Sequence, residues 1–223
     1  MLKKAFIGVL FVALLSTVLI AGVDFNVTKA EDYSSSGTPV GGIIWENTTW
    51  TLENSPYIIT DTIQIPENVT LTIEPGVTVI SQGGTMFLIH GRIYARGTIN
   101  NKITFDGASR FFDVDGSSRE TFLDLDYCII KNGGSFWWDG YGHFNLTRSE
   151  LINLASYSYT WYPGKDVHVE YNTFINSAGF SVGHDGPSVY IRYNLIKGNE
   201  VLLYKTGRVN LDKQLLNIIP LLT

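Results

Sequence analysis

Between Leu123 and Lys197 the chain repeats itself about every 22 residues, and no other feature limits its possible folds so tightly. Four segments superimpose: Leu123-Asp-Leu-Asp-Tyr-Cys-Ile-Ile-Lys-Asn132, Phe144-Asn-Leu-Thr-Arg-Ser-Glu-Leu-Ile-Asn153, Val167-His-Val-Glu-Tyr-Asn-Thr-Phe-Ile-Asn176 and Val189-Tyr-Ile-Arg-Tyr-Asn-Leu-Ile-Lys197. Aligned on a shared isoleucine, Ile130, Ile152, Ile175 and Ile196 lie 22, 23 and 21 residues apart, with one extra residue before it in the second and third segments. Each segment opens with strand-like alternation: Val167, Val169, Val189 and Ile191 point one way, and His168, Glu170, Tyr190 and Arg192 the other. The alternation breaks at Asn172 and Asn194. There the reading expects a bend with an unusual asparagine backbone angle and an amide bonding neighbouring turns. A short apolar pair and a variable loop complete the unit.

One such unit cannot bury its own apolar face, so successive units must stack as coils of a parallel solenoid. Helical spacing of apolar residues is absent between Val40 and Gly198. A β-sandwich also has short strands and frequent turns, but the near-constant spacing of equivalent residues favours the solenoid.

The first half is less regular. Short strands are expected at Val69–Ile73, Val77–Ile80, Met86–Ile89, Arg92–Ala95 and Lys102–Phe105, separated by Glu74-Pro75-Gly76, Gln82-Gly83-Gly84, His90-Gly91 and Asp106-Gly107. Leu71-Thr-Ile-Glu-Pro-Gly-Val-Thr-Val79, then Gly91-Arg-Ile-Tyr-Ala-Arg-Gly97 and Ile103-Thr-Phe105, resembles the opening coils of right-handed parallel β-helix repeat proteins of the pectate-lyase-like superfamily. The resemblance spans roughly residues 42–199. It implies an all-β fold, a single-stranded right-handed parallel β-helix of the secreted or surface type. Relatives of this kind include lyases, glycoside hydrolases, epimerases and non-catalytic surface proteins, so the fold leaves activity open.

Residues 1–22 read as a secretory signal peptide: Lys3-Lys4, an apolar stretch and small residues at its close. An uncleaved anchor is the competing reading, because the stretch is nearly long enough to span a bilayer. Residues 23–39 are polar and form a flexible leader, 40–199 the β-helix, and 200–223 a C-terminal cap or a truncated end. The chain carries a formal charge of −5, two units more negative once Lys3 and Lys4 leave with the signal. An acidic exported chain without a basic patch argues against nucleic acid as a partner. No later segment is expected to span a membrane. The one cysteine, Cys128, excludes an intrachain disulfide and sits in an apolar stretch as a core residue. Glycosylation sequons begin at Asn26, Asn47, Asn68 and Asn145.

Stacking places outward residues in columns: Asp124, Asn145, His168, Tyr190 and, beside it, Asp126, Thr147, Glu170, Arg192. Glu170 and Arg192 should form an ion pair, and His168, Glu170 and Arg192 are the candidate catalytic set for a polysaccharide lyase or hydrolase; a solvated face is the plainer reading. Three aromatic stretches read as loops: Ser135–Gly142, Tyr157–Gly164 and Phe180–Gly186. Aligned at a spacing of 24 residues, Trp137 matches Trp161 and Trp138 matches Tyr162. An outward row of Trp138, Tyr162 and His184, edged by Asp139 and Asp185, would offer flat faces and carboxylates to sugar rings; the same aromatics would serve equally to thicken the core. Asp113-Val-Asp-Gly116 carries part of a calcium loop but lacks its third ligand and closing glutamate, so it reads as a turn, and no metal or other cofactor is assigned. The expected partner is a polysaccharide or cell-envelope glycan. The alternatives are an enzyme acting on one, a structural envelope protein, and a fragment of a larger surface protein.

Overall fold

The computed structural model describes residues 37–116, 120–140, 142–155, 158–161, 167–178, 180–183 and 189–198, together with three short strands beyond them. Almost everything described is parallel β-structure, wound as a solenoid of about six turns. β1 (Thr38–Ile43), β2 (Thr48–Trp50) and the long β3 (Tyr57–Ile65) open it, with a 3-10 turn at Leu52–Asn54. Six three-stranded coils follow: β4 (Thr70–Ile73), β5 (Thr78–Ser81) and β6 (Thr85–Ile89); β7 (Arg92–Arg96), β8 (Ile103–Asp106) and β9 (Arg110–Gly116); β10 (Phe122–Asp126), β11 (Cys128–Gly133) and β12 (Ser135–Gly140). Then come β13 (His143–Thr147), β14 (Glu150–Leu154) and β15 (Ser158–Trp161); β16 (Val167–Glu170), β17 (Thr173–Ile175) and β18 (Phe180–Gly183); β19 (Val189–Arg192), β20 (Leu195–Lys197) and β21 (Tyr204–Lys205). β22 (Val209–Asn210) and β23 (Leu215–Asn217) continue two of the faces.

Each strand pairs with its counterpart one coil away, which gives three faces. The first is β2-β4-β7-β10-β13-β16-β19-β22, the second runs from β5 through β8, β11, β14, β17 and β20 to β23, and the third from β6 through β9, β12, β15 and β18 to β21. β3 joins the last two: its Tyr57–Ile59 part pairs with β5 and its Ile63–Ile65 part with β6. The third face is a correction. The aromatic stretches expected as loops contain strands β12, β15 and β18, and Asp113-Val-Asp-Gly116 is the end of strand β9, with Asp113 bonded to Arg110 at 2.5 Å. In β12 the alternation is masked in the sequence because aromatics stand on both sides of the strand, Phe136 buried and Trp137 exposed. β1 begins at Thr38, two residues inside the expected leader.

Alternation delivers the core. On the first face Leu71, Ile93, Leu123, Phe144 and Val167 form one buried row, and Ile73, Ala95, Leu125, Leu146 and Val169 the next. On the third, Phe87, Phe112 and Phe136 lie in register; Phe87 and Phe112 stack at 5.5 Å, and Phe112 meets Phe136 and Phe105 edge-on at 5.3 and 5.2 Å. Burying each such ring stabilises the fold by roughly 2–3 kcal/mol. On the second face the inward row is Ile130, Leu151, Phe174 and Ile196. Ile152 and Ile175 therefore stand one position further on, outside the core row. Alignment on residue identity inserted a residue that the register does not contain, because Leu151 and Phe174 fill the isoleucine's place.

Between the first and second faces the chain turns at a single residue in the left-handed region: Tyr127 (φ 48°), Arg148 (48°), Tyr171 (59°) and Tyr193 (58°). The left-handed angle falls one residue before Asn172 and Asn194, not on them. Those asparagines are buried and cap their neighbours, as expected of their amides. In the column Cys128, Ser149, Asn172, Asn194, the Ser149 hydroxyl accepts from Cys128 N–H, Asn172 Oδ1 from Ser149 N–H, and Asn194 Oδ1 from Asn172 N–H, each at 2.9 Å. The amides also donate back to the preceding coil, Asn172 Nδ2 to the Leu146 carbonyl and Asn194 Nδ2 to that of Val169, each at 2.8 Å. Left-handed asparagines do occur at the next corner: Asn132, Asn153 and Asn176, the residue type that tolerates that conformation best after glycine.

Candidate functional site

The outward columns of the first face form as expected. Asp124, Asn145, His168 and Tyr190 are paired coil to coil, as are Asp126, Thr147, Glu170 and Arg192. β-Strand geometry sets these rows one coil apart, about 4.8 Å. All of these residues but Tyr190 and Arg192 line a groove of about 470 Å³ with Arg96, Arg148 and Tyr171.

The groove is a row of paired charges. Glu170 Oε1 lies 2.7 Å from His168 Nδ1 and accepts a hydrogen bond from an Arg192 guanidinium nitrogen at 3.2 Å. Asp126 is held by both arms of Arg148, Oδ1 accepting from Nε at 2.8 Å and Oδ2 from the terminal nitrogen at 2.5 Å; Oδ1 also accepts from the Thr147 hydroxyl at 2.9 Å. Asp124 pairs with Arg96. Although they point outward, Asp124 and Glu170 are only 4% and 8% exposed. Burial by itself would raise the Glu170 pKa; the hydrogen bonds from His168 and Arg192 outweigh it and hold this carboxyl below its ordinary value. Hydrogen bonds to Asp126 raise the Arg148 pKa in turn.

Aromatic rings brace the same face. His168 stacks on Tyr190 at 4.8 Å, and the Arg192 guanidinium lies over the Tyr190 ring at 4.7 Å. Arg148 lies over Tyr127 at 5.1 Å. The corner tyrosines Tyr171 and Tyr193 stack on each other at 4.8 Å, and Tyr171, 54% exposed, forms one wall of the groove. Among the described residues Arg192 Nε is the single buried side-chain nitrogen or oxygen without a hydrogen-bond partner.

The candidate trio His168, Glu170 and Arg192 is thus brought into direct contact. Sequence reasoning missed Arg96, Arg148 and Tyr171. Arg96 carries the visible signal, since alternation from Arg92 puts it outward and only the early end assigned to the strand hid it. Arg148 and Tyr171 follow a strand whose straight continuation would turn them inward, and the corner angle turns them out.

The third face differs from its expected alignment. Trp138 pairs with Thr160 and Asp139 with Trp161, a spacing of 22, so Trp138 is not opposite Tyr162. Trp137 is 39% exposed and lies beneath the Arg110 guanidinium at 5.4 Å, while Trp138 is in register with buried Val114. Tyr162, His184 and Asp185 lie outside the described residues, as do the side chains of Trp138 and Asp139. Of the sequons, Asn68 is exposed at a turn, Asn47 is exposed with its side-chain oxygen accepting from Thr70 N–H at 2.9 Å, Asn145 is half-buried in the groove, and Asn26 lies outside the described residues. Cys128 is buried, and burial pushes its thiol pKa far up, which leaves it unreactive. Among the described residues no three His, Cys, Asp or Glu side chains gather as metal ligands, and no helix is long and apolar enough to cross a membrane.

The fold defines the class, a parallel β-solenoid. Comparison with protein-family models, curated proteins and solved structures found no match to this chain.

Proposed function

We propose that the chain is a secreted or cell-surface, right-handed β-helix of pectate-lyase-like type that binds polysaccharide without cleaving it. One observation carries this reading: an open groove of paired carboxylates and guanidinium groups walled by an exposed tyrosine. Carboxylates and guanidiniums fixed in each other's hydrogen bonds keep spare lone pairs and N–H groups for sugar hydroxyls, and an aromatic wall suits the apolar face of a pyranose. The right hand accords with the strong chirality of parallel β crossovers.

The test is co-elution of the full chain with a panel of soluble polysaccharides, with glycan size followed in parallel. Intact glycan carried with the protein is the expected outcome. Replacing Tyr171 and Tyr193 together by alanine should weaken binding by about threefold to tenfold, the worth of an aromatic contact. Undiminished binding would move the site to the third face, where Trp137→Ala, at its exposed tryptophan, would be the probe.

A lyase or hydrolase is the second reading, favoured by the contact of His168, Glu170 and Arg192 on one face. A glutamate bonded on both sides and held below its ordinary pKa is a poor proton donor, which weighs against a general-acid role for it. Shortened glycan, abolished by Glu170→Gln, would establish the enzyme instead.

A further inference from the structure

We infer that the groove takes a neutral glycan chain, laid along the solenoid axis, and not a polyuronate. This rests on the glycan-binding reading and narrows it. Three carboxylates stand on the described part of the face, and each has its own guanidinium: Asp124 with Arg96, Asp126 with Arg148, Glu170 with Arg192. Glu170 also holds His168 Nδ1. Formal charges along the row cancel pair by pair. A compensated row produces little field beyond its own hydrogen bonds, so it neither draws in a polyanion nor holds the cation that would bridge one. A uronate entering here must either leave its carboxylate without a counter-charge or break an existing pair, and breaking a pair leaves a largely buried carboxylate uncompensated.

A neutral hydroxyl meets no such cost. The pairs already restrain their side chains, so less ordering remains to be done on binding. Arg148 uses Nε and one terminal nitrogen on Asp126, which leaves N–H groups of its fork for a ligand. Asn145, in the middle of the groove, adds an amide that can both donate and accept. Because the columns recur once per coil, the polar partners form rows parallel to the stacking direction, and a linear polymer can follow them from coil to coil past Tyr171.

Affinity electrophoresis of the full chain separates this from its rivals. The gels contain a neutral β-glucan or galactomannan, or the polyuronates polygalacturonate or alginate. They are run at pH about 8, where ordinary imidazoles are uncharged. The neutral polymer should slow the protein, and should still do so at about 1 M salt, where the Debye length is roughly 3 Å. The polyuronates should leave its mobility unchanged. Asp126→Asn strips Arg148 of its counter-charge, and Asp124→Asn does the same for Arg96; each should acquire polyuronate retardation that high salt abolishes. Thermal melting confirms that each variant is folded, and either alone suffices for the test. Retardation of the unaltered protein by polyuronate and not by neutral polymer would overturn the inference and leave the glycan reading standing. Folded variants that gain no polyuronate binding would overturn the charge-pairing argument. No retardation by any polymer would remove both the inference and the reading beneath it.

Discussion

Asn172 does at a coil corner what a strand partner does in a flat sheet. Its side-chain oxygen takes the Ser149 N–H and its amide nitrogen serves the Leu146 carbonyl, while its own N–H is taken by Asn194. All of this occurs where water has no access. Asn172→Ala should therefore cost about 2–4 kcal/mol, because it orphans a buried donor and a buried acceptor at roughly 1–3 kcal/mol each; equilibrium unfolding in urea measures it. Cys128 begins the same column and shows what a small polar atom can achieve there, its thiol reaching the Ala95 carbonyl at 3.4 Å. The asparagine's role as a link between turns was legible in the sequence. Its backbone angle was not, since nothing local distinguishes a residue that bends the chain from the one that follows the bend. The angle falls on Tyr171, as on Arg148 and Tyr193 at the same corner, and the Tyr171 ring stacks on Tyr193.

The elements owe their register to burial. A slip of one residue would carry an entire inward row to the surface, so the pairing is set wherever one side is dry. Leu151 and Ile152 make the point as neighbours of opposite fate. Leu151 is fully buried between Ile130 and Phe174, and Ile152 stands outside the core row beside Lys131. Leu151→Glu should destabilise by about 4 kcal/mol or more, or prevent folding, because it buries an unpaired carboxylate. Ile152→Glu should cost only about 1 kcal/mol, because Ile152 is half-buried and outside the core row. Thermal or urea melts of the pair check the register directly; equal losses would contradict it. Gly91 limits a different element boundary: a Cβ there would lie 2.2 Å from the Pro66 carbonyl oxygen and 2.3 Å from that of Val69, so the chain enters β7 in contact with the coil before it. The sequence shows a glycine at a turn, and only stacking explains why no larger residue fits.

At the scale of the molecule, each coil contacts chiefly its neighbours, so stability is expected to vary along the solenoid. Among the described residues Phe87, Phe105, Phe112 and Phe136 pack ring against ring, whereas the opening segment carries exposed Ile43, Trp45 and Leu52. Hydrogen exchange should be slowest in peptides covering residues 103–114 and markedly faster in those covering 38–50; uniform protection, read by mass spectrometry, would show a single cooperative unit instead. The sequence alone determined the solenoid, the coil length, the inward rows of the first face and both outward columns, including the Glu170–Arg192 contact. Two-residue alternation and a near-constant repeat are local signals, and a parallel register converts them directly into neighbours. The tertiary structure alone decided that the coil has three faces, that Arg96 and Arg148 complete the charge pairs, and that Tyr171 walls the groove. These depend on how far the chain turns at each corner, an angle set by hydrogen bonds and ring contacts from the adjoining coils.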